Sequence, residues 1–134
     1  MYCFVTVGTT KFESLVQAMD QPEVRQALKE TGFSEVEVQI GEWDLCRGEY
    51  EPQLKHFRFA GTLKEYIEKA DLVISHAGAG TIIEALRCRK RLIVVVNSRL
   101  MDNHQLEIAE KLHEENHLLM CRDVSILPDA VLDM

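Results

Sequence analysis

The chain lacks the compositional features that would by themselves suggest nucleic acid or a membrane as a partner. Its 15 Lys and Arg stand against 22 Asp and Glu, which gives a formal net charge of −7. Contact with a phosphate backbone normally needs clustered Lys and Arg, so the charge argues against nucleic acid. No apolar run approaches the roughly 20 residues of a membrane span, and no secretory signal pattern begins the chain. The chain is therefore predicted to be soluble and cytosolic, without a membrane span of its own.

No two cysteines have the C-x-x-C spacing of a zinc site or a redox centre. The four cysteines are widely separated along the chain: Cys3, Cys46, Cys88 and Cys121. Three of them stand in segments with the composition of buried elements, so we interpret them as reduced structural thiols. The chain also has no internal repeat and no low-complexity tract. Its 134 residues and 46% apolar content predict one domain, 1–134, with a core of its own.

Strand-like runs alternate with helical patterns along the whole chain. Strands are predicted at 2–7, 36–40, 55–59, 72–75, 92–96 and 118–121, and helices at 12–19, 22–32, 63–69, 81–88 and 104–113. This alternation predicts an α/β fold with a Rossmann-like parallel sheet and helices on both faces. Ligands of such sheets bind outside the carboxyl ends of the strands, where Gly8, Ala60, Ser75 and Asn97 would lie.

The segment from Asp71 to Glu84 has the pattern of a buried strand, a turn of small residues and a helix start. Such a turn allows a ligand close to the backbone, and the N–H groups of the helix start then face an anion. The dinucleotide fingerprint G-x-G-x-x-G fails because Ile83 holds the third glycine position. No Walker pattern follows Gly8 or Gly80 either. NAD is therefore not expected, while backbone binding of a phosphate stays possible.

Glu84 has two interpretations that the residues alone leave open. The spacing Thr81-x-x-Glu84 matches a capping box, in which the Glu side chain bonds to the N–H of the cap residue. Alternatively, Glu84 lies one helical turn after Gly80 and accepts hydrogen bonds from two ribose hydroxyls. His76 is equally open, because a histidine after a buried strand suits either a half-buried structural role or a phosphate contact.

Two further polar segments favour a structural interpretation when each is taken alone. His113-Glu-Glu-Asn-His117 matches the zinc motif H-E-x-x-H, but Asn116 is typical of a helix stop, so the two histidines would not share one helix face. The polar run from Asp102 to Gln105 has the composition of a solvated helix cap. No general base can be chosen by spacing.

Taken in order, four segments carry a family resemblance: Phe4–Thr10, Ala70–Gly80, Glu84 and Asp102–Glu107. They closely resemble the cytosolic donor-binding subunit of the dolichol-linked N-acetylglucosaminyltransferase of N-glycan assembly, and the resemblance covers nearly the whole chain. That subunit is similar to the C-terminal half of the bacterial GT-B glycosyltransferase that adds GlcNAc to the lipid-linked cell-wall precursor. The expected fold is therefore equivalent to the C-terminal domain of a GT-B enzyme.

The resemblance assigns a role to each matching position around a bound UDP-GlcNAc. Glu84 is expected to bind the ribose, and His76 the diphosphate together with the two small-residue turns. The remaining assignments are Gly8, Thr9, Thr10, Gly78, Ala79 and Gly80 for the diphosphate, Phe59 and Ala60 for uracil, and Asn103, His104 and Gln105 for the sugar. No metal and no cofactor is expected.

The resemblance also implies a reaction and a partner. GlcNAc would pass from UDP-GlcNAc to GlcNAc-diphosphate-dolichol, while a membrane-anchored partner subunit supplies the acceptor site and the catalytic base. The partner would recruit the chain to the cytosolic face of the endoplasmic reticulum. A self-sufficient sugar-nucleotide enzyme such as an epimerase, or a regulatory module without transfer activity, are the alternatives.

The end of the chain departs from the resemblance. Relatives continue into a C-terminal helix that helps to join the membrane subunit, whereas this chain ends at Met134, so we expect that helix to be lacking. A fragment, a short isoform and a divergent member all fit such an ending.

Overall fold

Six parallel strands form one sheet in the computed structural model of the chain. The strands are β1 (Tyr2–Thr6), β2 (Glu35–Gln39), β3 (Leu54–Phe57), β4 (Leu72–His76), β5 (Arg91–Val95) and β6 (Leu119–Cys121). Their order across the sheet is β3-β2-β1-β4-β5-β6. The structure describes residues 2–6, 15, 18–19, 21–39, 54–57, 64–76, 79–95, 103–115, 118–121 and 126–133. Sheet and helices together confirm the predicted Rossmann-like fold.

Among the described residues, five helices with defined bounds connect or follow the strands. They are α1 (Pro22–Glu30), α2 (Lys64–Lys69), α3 (Ala79–Arg87), α4 (Asn103–Glu114) and α5 (Leu127–Asp133). Leu15, Ala18 and Met19 are also helical, within the segment predicted as a helix at 12–19. Each parallel connection needs such a crossover, because consecutive strands must start from the same edge of the sheet.

Alternate residues of the strands contribute side chains to two separate apolar layers, one on each face of the sheet. The first layer joins Cys3 and Val5 of β1 to α1, α5 and the helical residues around Leu15. The second joins Phe4 to Ile82 of α3 and to residues of α2. The central strands β1, β4 and β5 are buried on both faces. This burial explains why their sequences are nearly continuous apolar runs.

The local signals at α1 act as the sequence predicts. Pro22 lies in the first turn, where its missing N–H costs nothing. Gly32 ends the helix with a φ of 93°, and the N–H of Phe33 bonds to the carbonyl of Leu28 at 2.9 Å. This Schellman cap needs a left-handed residue, which glycine provides without strain.

Helix α5 was not predicted from the sequence. Its buried residues Leu127, Ala130 and Val131 pack on the first layer, and α5 contacts α1. Pro128 is compatible with a helix because it stands in the first turn. An apolar pattern of seven residues is too short to identify a helix, so the helical conformation depends on packing against α1. The expectation that a helix of the relatives is lacking stays a prediction.

The strand order reverses between β1 and β4, and this reversal positions the candidate site. From β1 the chain proceeds outward to β2 and β3, and from β4 it proceeds the other way to β5 and β6. Helices on the two sides of such a switch point diverge and leave a crevice at the carboxyl edge. Thr6 and Ser75 are paired in the ladder there, one residue before His76 ends β4.

Candidate functional site

The site lies at the carboxyl edge of β1, β2, β4 and β5, which end at Thr6, Gln39, His76 and Val95. Helix α3 begins at Ala79, directly after β4, so its N-terminus lies at this same edge. Helix α4 connects β5 to the parallel strand β6, so it also starts there. The first N–H groups of both helices have no partner within their helix and suit an anion at this edge.

His76 is half-buried at the end of β4. Burial lowers the pKa of its imidazole below the usual 6.5, while a backbone hydrogen bond with Thr6 opposes that shift. Its Nδ1 atom is buried and has no hydrogen-bond partner among the residues that the structure describes. A buried polar atom without a partner is costly, and such atoms cluster where a ligand completes the network. A ligand contact by His76 is compatible with this arrangement and stays a prediction.

Glu84 lies in the second turn of α3, half-buried, between positions that face the sheet and positions that face solvent. Ile82 and Ala85 are buried, whereas Ile83 is 51% exposed. Within the described part of the chain, no hydrogen bond or ion pair engages the Glu84 carboxylate. The carboxylate is free to accept hydrogen bonds from a ligand.

The capping-box interpretation of Thr81 and Glu84 is wrong. A capping box requires Thr81 to precede the first helical residue, but α3 already begins at Ala79. Thr81 is thus the third residue of the helix, and Glu84 lies too far along it to reach a cap N–H. The small residues Ala79 and Gly80 belong to the helix and not to the predicted turn.

The other predicted contacts divide into two groups. Ala79 and Gly80 open α3, and Asn103, His104 and Gln105 open α4, so the backbone of both predicted segments reaches the carboxyl edge. The remaining residues lie outside the described ranges: Gly8, Thr9, Thr10, Phe59, Ala60 and Gly78. Their assignments stay predictions.

A buried polar row under this edge was missed by the sequence analysis. Thr6 and Ser75 are fully buried and Gln39 is 3% exposed. The Thr6 hydroxyl donates to Oε1 of Gln39, and the Ser75 hydroxyl donates to the carbonyl of His76 at 2.7 Å. Thr6 and Ser75 close otherwise apolar runs in β1 and β4, which was the signal available in the sequence, whereas Gln39 ends a strand that already contains two glutamates.

The helix that carries His113 ends within the H-E-x-x-H segment, and His117 lies outside the described residues. Helix α4 ends at Glu114, three residues before His117. Nδ1 of His113 accepts the N–H of Met120 at 3.1 Å, which ties the helix end to β6. No group of three or more metal-binding side chains is found among the described residues. His113 is a structural residue here.

Comparison with known proteins places the chain in a family. Residues 2–134 match the glycosyltransferase family 28 C-terminal domain. The human UDP-N-acetylglucosamine transferase subunit ALG13 is 45% identical over 121 residues, covering 88% of this chain and 11% of the human protein. The subunit of the same name from Yarrowia lipolytica is 41% identical over 128 residues, covering 88% of this chain and 63% of the yeast one. The chain thus spans less than two thirds of either relative.

Solved structures agree with this assignment. An NMR solution structure of ALG13 superposes with a TM-score of 0.70 at 28% identity, covering 98% of this chain and 81% of that one. The crystal structure of Acinetobacter baumannii MurG gives a TM-score of 0.68 at 18% identity, over 96% of this chain and 39% of the other. The second match shows a shared fold alone.

Proposed function

Because the chain belongs to glycosyltransferase family 28, whose C-terminal domain it matches from end to end, we propose that it is the donor-binding subunit of a UDP-GlcNAc transferase. The observation that carries this proposal is the match to relatives named as subunits of such a transferase, at 41–45% identity. The reaction we propose moves GlcNAc from UDP-GlcNAc to GlcNAc-diphosphate-dolichol, the second step of lipid-linked oligosaccharide synthesis.

The carboxyl edge offers the chemistry that a UDP-sugar needs. A diphosphate carries charge that the starts of α3 and α4 can stabilise through their unpaired N–H groups. The carboxylate of Glu84 is an acceptor-only group and suits the two hydroxyls of ribose. We assign Nδ1 of His76, which no described residue engages, to the diphosphate side of this site. The sugar would meet the first turn of α4, at Asn103, His104 and Gln105.

Transfer of the sugar leaves UDP with a growing negative charge on its diphosphate. Preorganised backbone N–H groups stabilise such charge at little cost, because they need not reorient during the reaction. We therefore propose that this half of the enzyme binds its donor without a metal ion. No catalytic base is assigned to this chain, and we propose that the base belongs to the partner.

We propose a membrane-anchored partner that supplies the acceptor half of the enzyme. The name of the relatives as subunits supports a partner of some kind. No described helix is long and apolar enough to cross a bilayer. Contact with a lipid-linked acceptor, and a position at the endoplasmic reticulum, would then come through the partner.

Two measurements test the proposed function. Calorimetric titration should give heat for UDP-GlcNAc and weaker binding for UDP-glucose, since the two sugars differ at the N-acetyl group. Absence of any UDP-dependent heat would refute donor binding. Co-expression with a candidate membrane subunit should then yield lipid-linked chitobiose, which neither protein forms alone. Turnover of UDP-GlcNAc by the isolated chain would instead support an independent enzyme.

A further inference from the structure

Three of the four buried polar side chains of the described residues lie at one edge of the sheet. The four are Thr6, Arg25, Gln39 and Ser75. Thr6 and Gln39 are the last residues of β1 and β2, and Ser75 precedes the last residue of β4. Buried polar groups cost free energy unless they are hydrogen-bonded, so chance placement would not collect them at one edge.

The three residues also share one face of the sheet. Side chains alternate along a strand, and Phe4 and Val73 belong to the layer beneath α2 and α3. Thr6 and Ser75 lie two residues further along the same strands, so they point toward the same layer. In the ladder Thr6 is the partner of Ser75, and Gln39 follows Val38, the partner of Val5. Together they form a continuous polar row below the crevice.

Each hydroxyl of this row donates a hydrogen bond near the carboxyl end of its strand. The Thr6 hydroxyl donates to the amide oxygen of Gln39, so the last residue of β1 is held to the end of β2. The Ser75 hydroxyl donates to the carbonyl of His76 at 2.7 Å, which fixes the last peptide of β4. The segments that follow these two strand ends contain the turns predicted to bind the diphosphate.

We propose that Thr6, Gln39 and Ser75 are positioning residues that fix the ends of β1 and β4 at the carboxyl edge, where the proposed donor diphosphate would bind. This inference rests on the proposed function. The side chains are too buried to touch a ligand, so they act through the strand ends that carry the turns. The affinity of two backbone segments for a diphosphate depends on the spacing between the segments. Misplacement of a binding group by about 1 Å is enough to weaken binding strongly.

The test compares UDP with uridine, which lacks the phosphates, on the full chain. Thr6→Val and Ser75→Ala each remove one hydroxyl with little change of volume. We expect UDP affinity to fall by about tenfold in each variant, within the range seen for residues that act on a site without touching its ligand. Uridine affinity should change by less than about twofold. Equal loss of both ligands, or no loss of UDP affinity, would overturn the inference.

A matched control separates positioning from stability. Thr31 donates its hydroxyl to the carbonyl of Ala27 at 2.9 Å, at the end of α1 and away from the site. Thr31→Val should lower stability while the affinity for UDP stays unchanged. The double variant Thr6→Val/Gln39→Met removes both partners of the buried bond and should regain stability lost in Thr6→Val. Recovery of UDP affinity together with stability would contradict a positioning role.

The experiments distinguish failure of the proposed donor binding from failure of the positioning role. If the natural chain binds neither UDP nor UDP-GlcNAc, the donor-site proposal fails. Hydrogen exchange of the ligand-free chain then tests positioning directly, because peptides that contain the end of β1 should exchange faster in Thr6→Val, and peptides that contain the end of β4 faster in Ser75→Ala. Unchanged exchange in both segments would overturn the positioning role whatever the ligand.

Discussion

Gly32 and Arg89 occupy the same position in two equivalent helix caps, and only one of them is a glycine. After α1 the N–H of Gly32 bonds to Lys29, and after α3 the N–H of Arg89 bonds to Leu86, each at 3.1 Å. Both residues are left-handed, with φ of 93° and 56°. A side chain raises the energy of this conformation, so the α3 cap carries strain that the α1 cap avoids.

This difference predicts that Arg89→Gly and Gly32→Ala change the free energy of unfolding in opposite directions. Arg89→Gly should raise the free energy of unfolding by about 0.5–1 kcal/mol, because relief of strain exceeds the entropy that glycine adds to the unfolded chain. Gly32→Ala should lower it by about 1 kcal/mol. Urea denaturation of both variants measures the two values. A loss of stability in Arg89→Gly would show that the arginine side chain contributes contacts that outweigh the strain.

Removal of the Glu84 carboxylate should weaken donor binding. If Glu84 binds the ribose as proposed, Glu84→Ala removes that acceptor and should cost about 1–3 kcal/mol in UDP-GlcNAc affinity. Stability should change little, because the carboxylate has no partner among the described residues. Calorimetry and urea denaturation give the two quantities. Arg87→Ala, three residues along on the exposed side of the same helix, is the control that should bind UDP-GlcNAc normally.

Acidification should destabilise the fold through His76. Its pKa is lowered by burial from the usual 6.5, so between the folded and unfolded pKa values the unfolded chain holds more protons. The free energy of unfolding should therefore decline as the pH falls below about 6.5 and stay constant above about 7.5. His76→Gln should show a smaller decline, measured by urea denaturation from pH 7.5 to 5.5. Parallel curves for the two proteins would exclude His76 as the source.

The Tyr2 hydroxyl should contribute to stability and not to donor binding. It donates a 2.6 Å hydrogen bond to Oε2 of Glu37, and burial raises the pKa of Tyr2 above its usual value. Tyr2→Phe should lower the free energy of unfolding by about 1–2 kcal/mol, since the acceptor is charged. UDP-GlcNAc affinity should be unchanged, because Tyr2 begins β1 at the opposite edge of the sheet. Weakened UDP-GlcNAc binding in a stable variant would contradict this separation.

The described thiols should differ in their reaction with iodoacetamide. Cys3 and Cys121 are buried, and burial raises the pKa of the Cys3 thiol, so neither should react in the native chain. Cys88 is half-buried and should be alkylated slowly. Peptide mass spectrometry over a time course orders the rates, with denatured chain as the reference. Rapid alkylation of Cys3 would indicate opening of β1.

Most secondary-structure elements were predictable from local patterns, and their boundaries were not. The apolar runs around Val38 and Ile93 predicted β2 and β5 to within one residue. Helix α3 begins two residues earlier than expected, because two small residues can join a helix that the sheet supports. Helix α5 was not predicted, because its seven residues are too short a pattern and their helical conformation is stabilised by packing on α1. For the site, the roles of Glu84 and His76 stay predictions.

The sequence by itself determined the alternation of strands and helices, and with it a parallel sheet whose strand ends meet at one edge. These features depend on periodicity and composition, which are properties of residues that are close together in the sequence. Only the tertiary structure decided that β1 and β4 are adjacent at the reversal of strand order, and that Thr6, Gln39 and Ser75 form one buried row. It also decided that Nδ1 of His76 is buried with no partner in the described part of the chain. Such relationships join residues up to 69 positions apart, as Thr6 and Ser75 are in the β1–β4 ladder. Pairing over that distance is selected by the packing of the whole sheet, which no local pattern specifies.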